Sequence, residues 1–173
     1  MKIKFTIGGV KVNIKRANLE DIEIVKHIVH TTIKEVYPHY YPSGVVNFFL
    51  NHHSENNIQK AIEIEMVLLL NVDGTIVGTG SVHKNEINRV FVLPKFQGLG
   101  YGTKLLGELE DIIEKDYSKI ILDSSLPAYN LYNKHGYLPV KYEKIITSNK
   151  DVICFHTMEK LLKVHQSKEG HEV

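Results

Sequence analysis

Apolar residues change their spacing along this chain, and the changes mark out strands and helices in turn. Ile3, Phe5 and Ile7, then Val10, Val12 and Ile14, alternate with polar or charged neighbours, the period of strands with one buried face. Gly8-Gly9 between the two runs predicts a tight hairpin over residues 2–17, since glycine enters positive φ at little cost. Asn18 before Glu20-Asp21 reads as an N-cap with acids in the first turn. Behind it Ile22, Val25, Ile28, Val29, Thr32, Ile33 and Val36 recur at helical spacing. This helix is expected to stop near Tyr37-Pro38, because a residue before proline is pushed out of the α region.

Tyr37 to Gly44 reads as an aromatic loop, followed by helical pieces over Val45 to His53 and Ile58 to Ile64. The period then shortens. Met66 to Val72 and Thr75 to Val82 form a strand pair around Asp73-Gly74, and Glu86 to Val92 is a further β-rich run ended by Pro94. From Gly102 onward Leu105, Leu106, Leu109, Ile112 and Ile113 make one helical face. Ile120 to Leu122 is a short buried strand, and Ala128 to Lys134 a short helix closed at His135-Gly136, where glycine suits a C′ position. Two last strands, about 137–147 and 151–159, flank Ser148 to Asp151, and residues 163–173 are a polar tail. The order predicts an α/β (α+β) fold: a mixed sheet with helices on its faces. One domain is expected over residues 1–162, with residues 1–11 as an added hairpin strand.

Composition narrows the function by exclusion. Lys+Arg 21 stand against Asp+Glu 20 in 173 residues, so the basic excess typical of nucleic-acid binding is missing. One cysteine, Cys154, excludes an intramolecular disulfide framework and any multi-cysteine zinc site. The most apolar stretch, Met66 to Leu70, falls far short of the roughly 20 residues a spanning helix needs. A secretory leader is not expected either, as Met1 to Phe5 alternates charge with apolar residues. The default expectation is a cytoplasmic globular protein with no nucleic-acid, membrane or metal partner.

Chemistry concentrates in Val90-Phe91-Val92-Leu93-Pro94-Lys95-Phe96-Gln97-Gly98-Leu99-Gly100-Tyr101-Gly102-Thr103-Lys104. A strand ends at proline, and alternate glycines open a long amphipathic helix. Glycines admit a ligand close to the backbone, and the first unpaired N–H groups of the helix point at it. The macrodipole adds about half a positive charge there, so a pyrophosphate is the natural occupant. A Walker A loop is excluded, because Lys104 follows Thr103 rather than the second glycine of that motif. The dinucleotide fingerprint fails too: counted from Gly98, its third glycine would fall on Thr103. Gln97-Gly98-Leu99-Gly100-Tyr101-Gly102 does fit Gln/Arg-x-x-Gly-x-Gly/Ala, an acyl-CoA loop.

From about Val12 to Lys160 the sequence resembles the GNAT superfamily of N-acetyltransferases. Ile14 to Asp21 is similar to the family's opening strand and helix, and Glu86 to Pro94 to its acetyl-CoA strand. Ala128-Tyr129-Asn130-Leu131-Tyr132-Asn133-Lys134-His135-Gly136-Tyr137 is similar to its late A-x-x-[FL]-Y-x-K-x-G-[FY] element. The resemblance implies a mostly antiparallel twisted sheet, acetyl-CoA as acyl donor, and the amine of a small molecule or peptide as acceptor. It also allows a homodimer, which is common among relatives.

Residue by residue, the resemblance implies that the backbone at Phe91 and Val92 pairs with the pantetheine arm and supplies an oxyanion-stabilising N–H. The amides of Gln97, Gly98, Leu99, Gly100, Tyr101, Gly102 and Thr103 would hold the pyrophosphate, with Lys95 and Lys104 as either added charge or solvated surface. Ser125 departs from the pattern, because relatives commonly place an asparagine there against the cofactor. Tyr132 is the expected general acid for the departing thiolate, and Tyr129, about one turn earlier, is expected in the cofactor channel. Glu86 is the expected base for the amine, with His83 as an alternative. Tyr37, Tyr40 and Tyr41 are expected on the acceptor side, where rings could stack on an amine.

Other polar residues receive bland readings. His27 and His30 lack a metalloprotease pattern, His52-His53 is incidental, and Cys154 is a small core residue. The rival to an enzyme is a non-catalytic acyl-CoA-binding sensor or regulatory module.

Overall fold

The computed structural model describes residues 2–7 and 9–162; Gly8 of the expected Gly8-Gly9 turn and the expected tail over 163–173 lie outside the described residues. In chain order the elements are β1 (Lys2–Ile7), β2 (Val10–Arg16), α1 (Ile22–Val36), α2 (Ser43–His52), α3 (Glu55–Ile64), β3 (Met66–Val72) and β4 (Thr75–His83). Then follow β5 (Glu86–Val92), α4 (Tyr101–Ile113), β6 (Lys119–Ser125), α5 (Tyr129–Lys134), β7 (Leu138–Ile146) and β8 (Val152–Leu161). The strands form one sheet of eight in the order β1-β2-β3-β4-β5-β6-β8-β7. All neighbours are antiparallel except β5 and β6, which are parallel. The expected mixed, mostly antiparallel sheet with an N-terminal hairpin is therefore present. Among the described residues no helix is long and apolar enough to cross a membrane.

The continuous apolar run of β3 reflects burial on both faces of the sheet, as in any strand covered from two sides. Leu68 and Leu70 point into a layer with Leu105, Leu106 and Leu109 of α4. Their neighbours Val67 and Leu69 enter the opposite layer with Val25, Ile28 and Ile33 of α1, Val45 of α2 and Ile58 of α3. Burial of such side chains contributes about 1.5–3 kcal/mol each, so these two layers hold the sheet between its helices.

Element ends depart from the sequence reading where the end residues are polar. α3 begins at Glu55, three residues before the expected Ile58, because its first turn, Glu55-Asn56-Asn57, carries no apolar period. β6 extends to Ser125 rather than Leu122, since its ladder with β8 continues through Asp123↔Thr157 and Ser125↔Phe155. The Tyr37 loop contains a 3-10 turn over Tyr37–His39.

What positions the site is a split in the sheet. β5 and β6 share register only at Glu86↔Ile121, supported by the Ile121 amide donating to the Asn85 carbonyl at 3.0 Å. Beyond this rung β5 runs on to Val92 with its β6-facing edge outside any strand ladder. On its other edge β5 remains paired with β4, although the register shifts between Thr79 and Ser81.

Candidate active site

The glycine loop meets the open end of this split. Gly98 and Gly100 adopt φ of +75° and +83°, the left-handed region that glycine alone enters freely. Gly100 is also the N-cap of α4, where no side chain caps the helix, so the first amides of α4 are left for an external acceptor. A Cβ on Gly102 would meet only Leu131 and Val92, at 3.7 and 3.9 Å. Packing therefore does not demand a glycine there, whereas close approach of a ligand would. These residues fit a pyrophosphate group. Lys104 is engaged by Glu108 at 2.6 Å, and Lys95 lies over the Phe96 ring at 5.2 Å.

From the loop a cavity of about 220 Å³ runs past Gln97, Gly102, Val92 and Leu131. A second cavity, of about 330 Å³, shares Tyr37, Val90, Phe91, Ser125 and Ala128 with the first and extends toward Phe48, His52 and Phe155. The Val92 carbonyl is already taken, accepting from Thr32 Oγ1 at 3.2 Å and Gln97 Nε2 at 2.8 Å. The two volumes thus share a wall, the first lying beside the glycine loop and the second forming an aromatic chamber between α2, β5 and β8.

Tyr132 stands at the chamber wall, 5% exposed, with its ring centroid 5.7 Å from that of Tyr137. Among the described residues its hydroxyl makes no hydrogen bond. Burial, reinforced by Tyr37, pushes its pKa upward, so the phenol keeps its proton at neutral pH. Ser125 lines both cavities, and its Oγ lies 3.1 Å from the Tyr37 hydroxyl. Tyr37 is pushed up to about 12 by burial, against a lowering by the Ser125 hydrogen bond.

Several expected residues lie elsewhere. Glu86 is exposed and does not line the chamber: it sits at the closed rung of the split, while the chamber opens further along β5. Tyr129 packs 5.2 Å from His156 rather than lining either cavity, because α5 presents Leu131 and Tyr132 there instead. Tyr40 is 50% exposed and outside the chamber. Tyr41 is buried as a structural pin, donating to the Cys154 carbonyl at 3.1 Å and accepting from the Leu126 amide at 2.8 Å. Tyr37 alone of the three lines the chamber. Leu99 is 56% exposed, and Tyr101 is buried against Phe96, so both offer the site backbone rather than side chain. Cys154 is half-buried instead of in the core.

The chamber also holds residues the sequence reading passed over. Arg89 Nη1 donates to both oxygens of Glu65, at 2.9 and 3.0 Å, and Ser81 Oγ donates to Glu65 Oε2 at 2.5 Å. His52 and His53, far from incidental, line the same chamber, as does Asp123. His53 is held well below the ordinary histidine pKa by burial, with His52 and Arg89 adding to the effect. One signal was present in the sequence: Arg89 is a charge set inside the apolar run Ile87 to Val92. Glu65 and the histidines carried none.

Comparison with known proteins bears on the family and the fold. The family model for an acetyltransferase (GNAT) domain matches residues 36–162, while no curated protein matches the chain. Among solved structures, a GCN5-related N-acetyltransferase from Rhodopseudomonas palustris superposes with a TM-score of 0.80 at 20% identity, covering 86% of this chain and 94% of that one. PaiA N-acetyltransferase from Thermoplasma acidophilum, in complex with coenzyme A, gives 0.67 at 19% identity over 87% and 98%. The ribosomal-protein-S18-alanine N-acetyltransferase of Escherichia coli gives 0.65 at 19% identity over 94% and 98%. At these identities the likeness is one of fold.

Proposed function

The chain belongs to the GNAT acetyltransferase family, and on that premise we propose that it moves an acetyl group from acetyl-CoA to a primary amine by direct attack in a ternary complex. The observation that carries this reading is the pair of cavities that share a wall, one beside the glycine loop and one lined by Tyr132. Acetyl-CoA supplies the acyl group and a thiolate leaving group.

The chain's own groups divide the remaining work. Amides of Gln97 to Thr103, with the α4 N-terminus, bind the pyrophosphate. The β5 edge beyond Glu86 offers backbone N–H and C=O groups to an extended arm, which would add to the sheet as a strand does. An N–H on that edge, near Phe91 and Val92, stabilises negative charge on the carbonyl oxygen. Tyr132 gives its proton to the sulfur as the C–S bond breaks and a C–N bond forms. The amine's surplus proton leaves through water and restores the phenol, so the sum is amide plus free thiol. Glu86, outside the chamber, would take that proton only along a water chain.

Isothermal calorimetry with acetyl-CoA tests the donor half. The reading expects stoichiometric binding, and no heat of binding up to millimolar acetyl-CoA would end it.

A further inference from the structure

Two buried nitrogen atoms in residues that line the aromatic chamber have no partner. His53, 7% exposed, leaves Nδ1 unbonded, and Arg89 leaves Nε unbonded. Buried polar groups in native proteins are nearly always hydrogen-bonded, so such orphans call for a ligand or water. Arg89 is also held at φ +53°, a conformation costly for a residue with a Cβ and one that clusters at binding sites.

A guanidinium is a planar fork with more than one usable edge. Glu65 occupies Nη1 alone, which leaves the Nε–Nη2 edge, the side-on pair that matches two carboxylate oxygens. His53 joins it in the tautomer that carries the proton on Nδ1. Beside these donors Phe48, Phe49, Ile87, Ile153 and Phe155 give part of the wall an apolar face, while Glu65, Asn88 and Ser125 keep the rest polar. Asp123, an exposed residue at the chamber's rim, accepts from Thr157 Oγ1 at 2.8 Å and has no cationic partner among the described residues. The chamber therefore offers the open edge of Arg89, the Asp123 carboxylate in addition to the Glu65 carboxylate already paired with Arg89, and an aromatic and aliphatic part of its wall.

We propose that the acceptor is a free amino acid with an apolar side chain, its carboxylate held by the Nε–Nη2 edge of Arg89 with His53 and its amine on the Asp123 side. This assignment rests on the acetyl-transfer reading for the use of the site, but carboxylate binding can be measured apart from turnover.

Calorimetry on the full chain saturated with coenzyme A would compare 3-phenylpropionate, which has the carboxylate and no amine, with phenethylamine, which has the reverse. The expected result is that 3-phenylpropionate binds at least about tenfold more tightly, the worth of a charge-assisted fork. Arg89→Lys, which keeps the charge and the Glu65 partner but loses the fork, should weaken 3-phenylpropionate by about tenfold and leave phenethylamine unmoved. Equal binding of the two probes, no binding of 3-phenylpropionate, or indifference to Arg89→Lys overturns the proposal. If the variant does not fold, the comparison of the two probes on the unaltered chain decides alone. Binding of 3-phenylpropionate without thiol release from acetyl-CoA and L-phenylalanine would leave the carboxylate subsite standing and count against acetyl transfer.

Discussion

The Tyr37 hydroxyl lies 3.1 Å from Ser125 Oγ, tying the end of the first long helix to the last residue of β6 across the split in the sheet. Both residues line the two cavities. The bond holds the Ser125 hydroxyl in place at the wall that the two cavities share.

Tyr37→Phe removes that tether and keeps the ring, which packs edge-on to Phe49 at 4.9 Å. Chemical denaturation should show a loss of about 1 kcal/mol, the ordinary worth of one hydrogen bond. The Kd for acetyl-CoA should rise in the same variant. A stability loss with unchanged Kd would confine the Tyr37–Ser125 pair to a structural role.

Gly102→Ala separates packing from ligand approach. The new methyl finds its nearest neighbours at 3.7 and 3.9 Å, and alanine is favoured over glycine in a helix by about 1 kcal/mol. The thermal midpoint should therefore hold or rise, while affinity for acetyl-CoA falls by about tenfold if a pyrophosphate sits against this turn. Destabilisation with intact affinity would mean that the glycine serves the fold.

Much of this could be read in the sequence, and the failures have a common cause. The glycine loop, the strand before it and the short helix that carries Tyr132 were legible as elements because their signals are local: a turn chemistry, a proline stop and a fixed spacing within one element. The chamber was not, because it is assembled from distant segments. Glu65 meets Arg89 24 residues away, and the ring of His53 reaches Phe91, 5.4 Å distant, only through the fold. Glu86 was misplaced for a related reason: a one-rung parallel contact decides which end of β5 is open, and strand periodicity says nothing of where two strands part. Tyr41 looked like a binding residue because aromatic loops suit ligands, yet its two hydrogen bonds make it a pin.

His53 gives the fold a pH dependence of known sign. Its pKa lies well below 6.5 in the folded state and returns to the ordinary value on unfolding, so below about pH 6.5 the unfolded chain binds the extra proton and is favoured. Stability should be full above that pH, fall as the pH drops through it, and level off below the folded pKa. Thermal melts between pH 8 and pH 5 on the natural chain and on His53→Gln check this. The variant should lose less of its midpoint on acidification; an identical acid slope would remove His53 as the cause.

Acetyl transfer itself is tested most directly by release of free coenzyme A thiol in the presence of acetyl-CoA and a panel of amines that includes apolar amino acids. Amine-dependent thiol release is expected at neutral pH, with a fall of about 10²-fold in kcat for Tyr132→Phe, the usual scale of a positioned acid, and acetyl-CoA affinity retained. Tight acetyl-CoA binding with no thiol release from any amine would contradict acetyl transfer and identify the chain as a binding module.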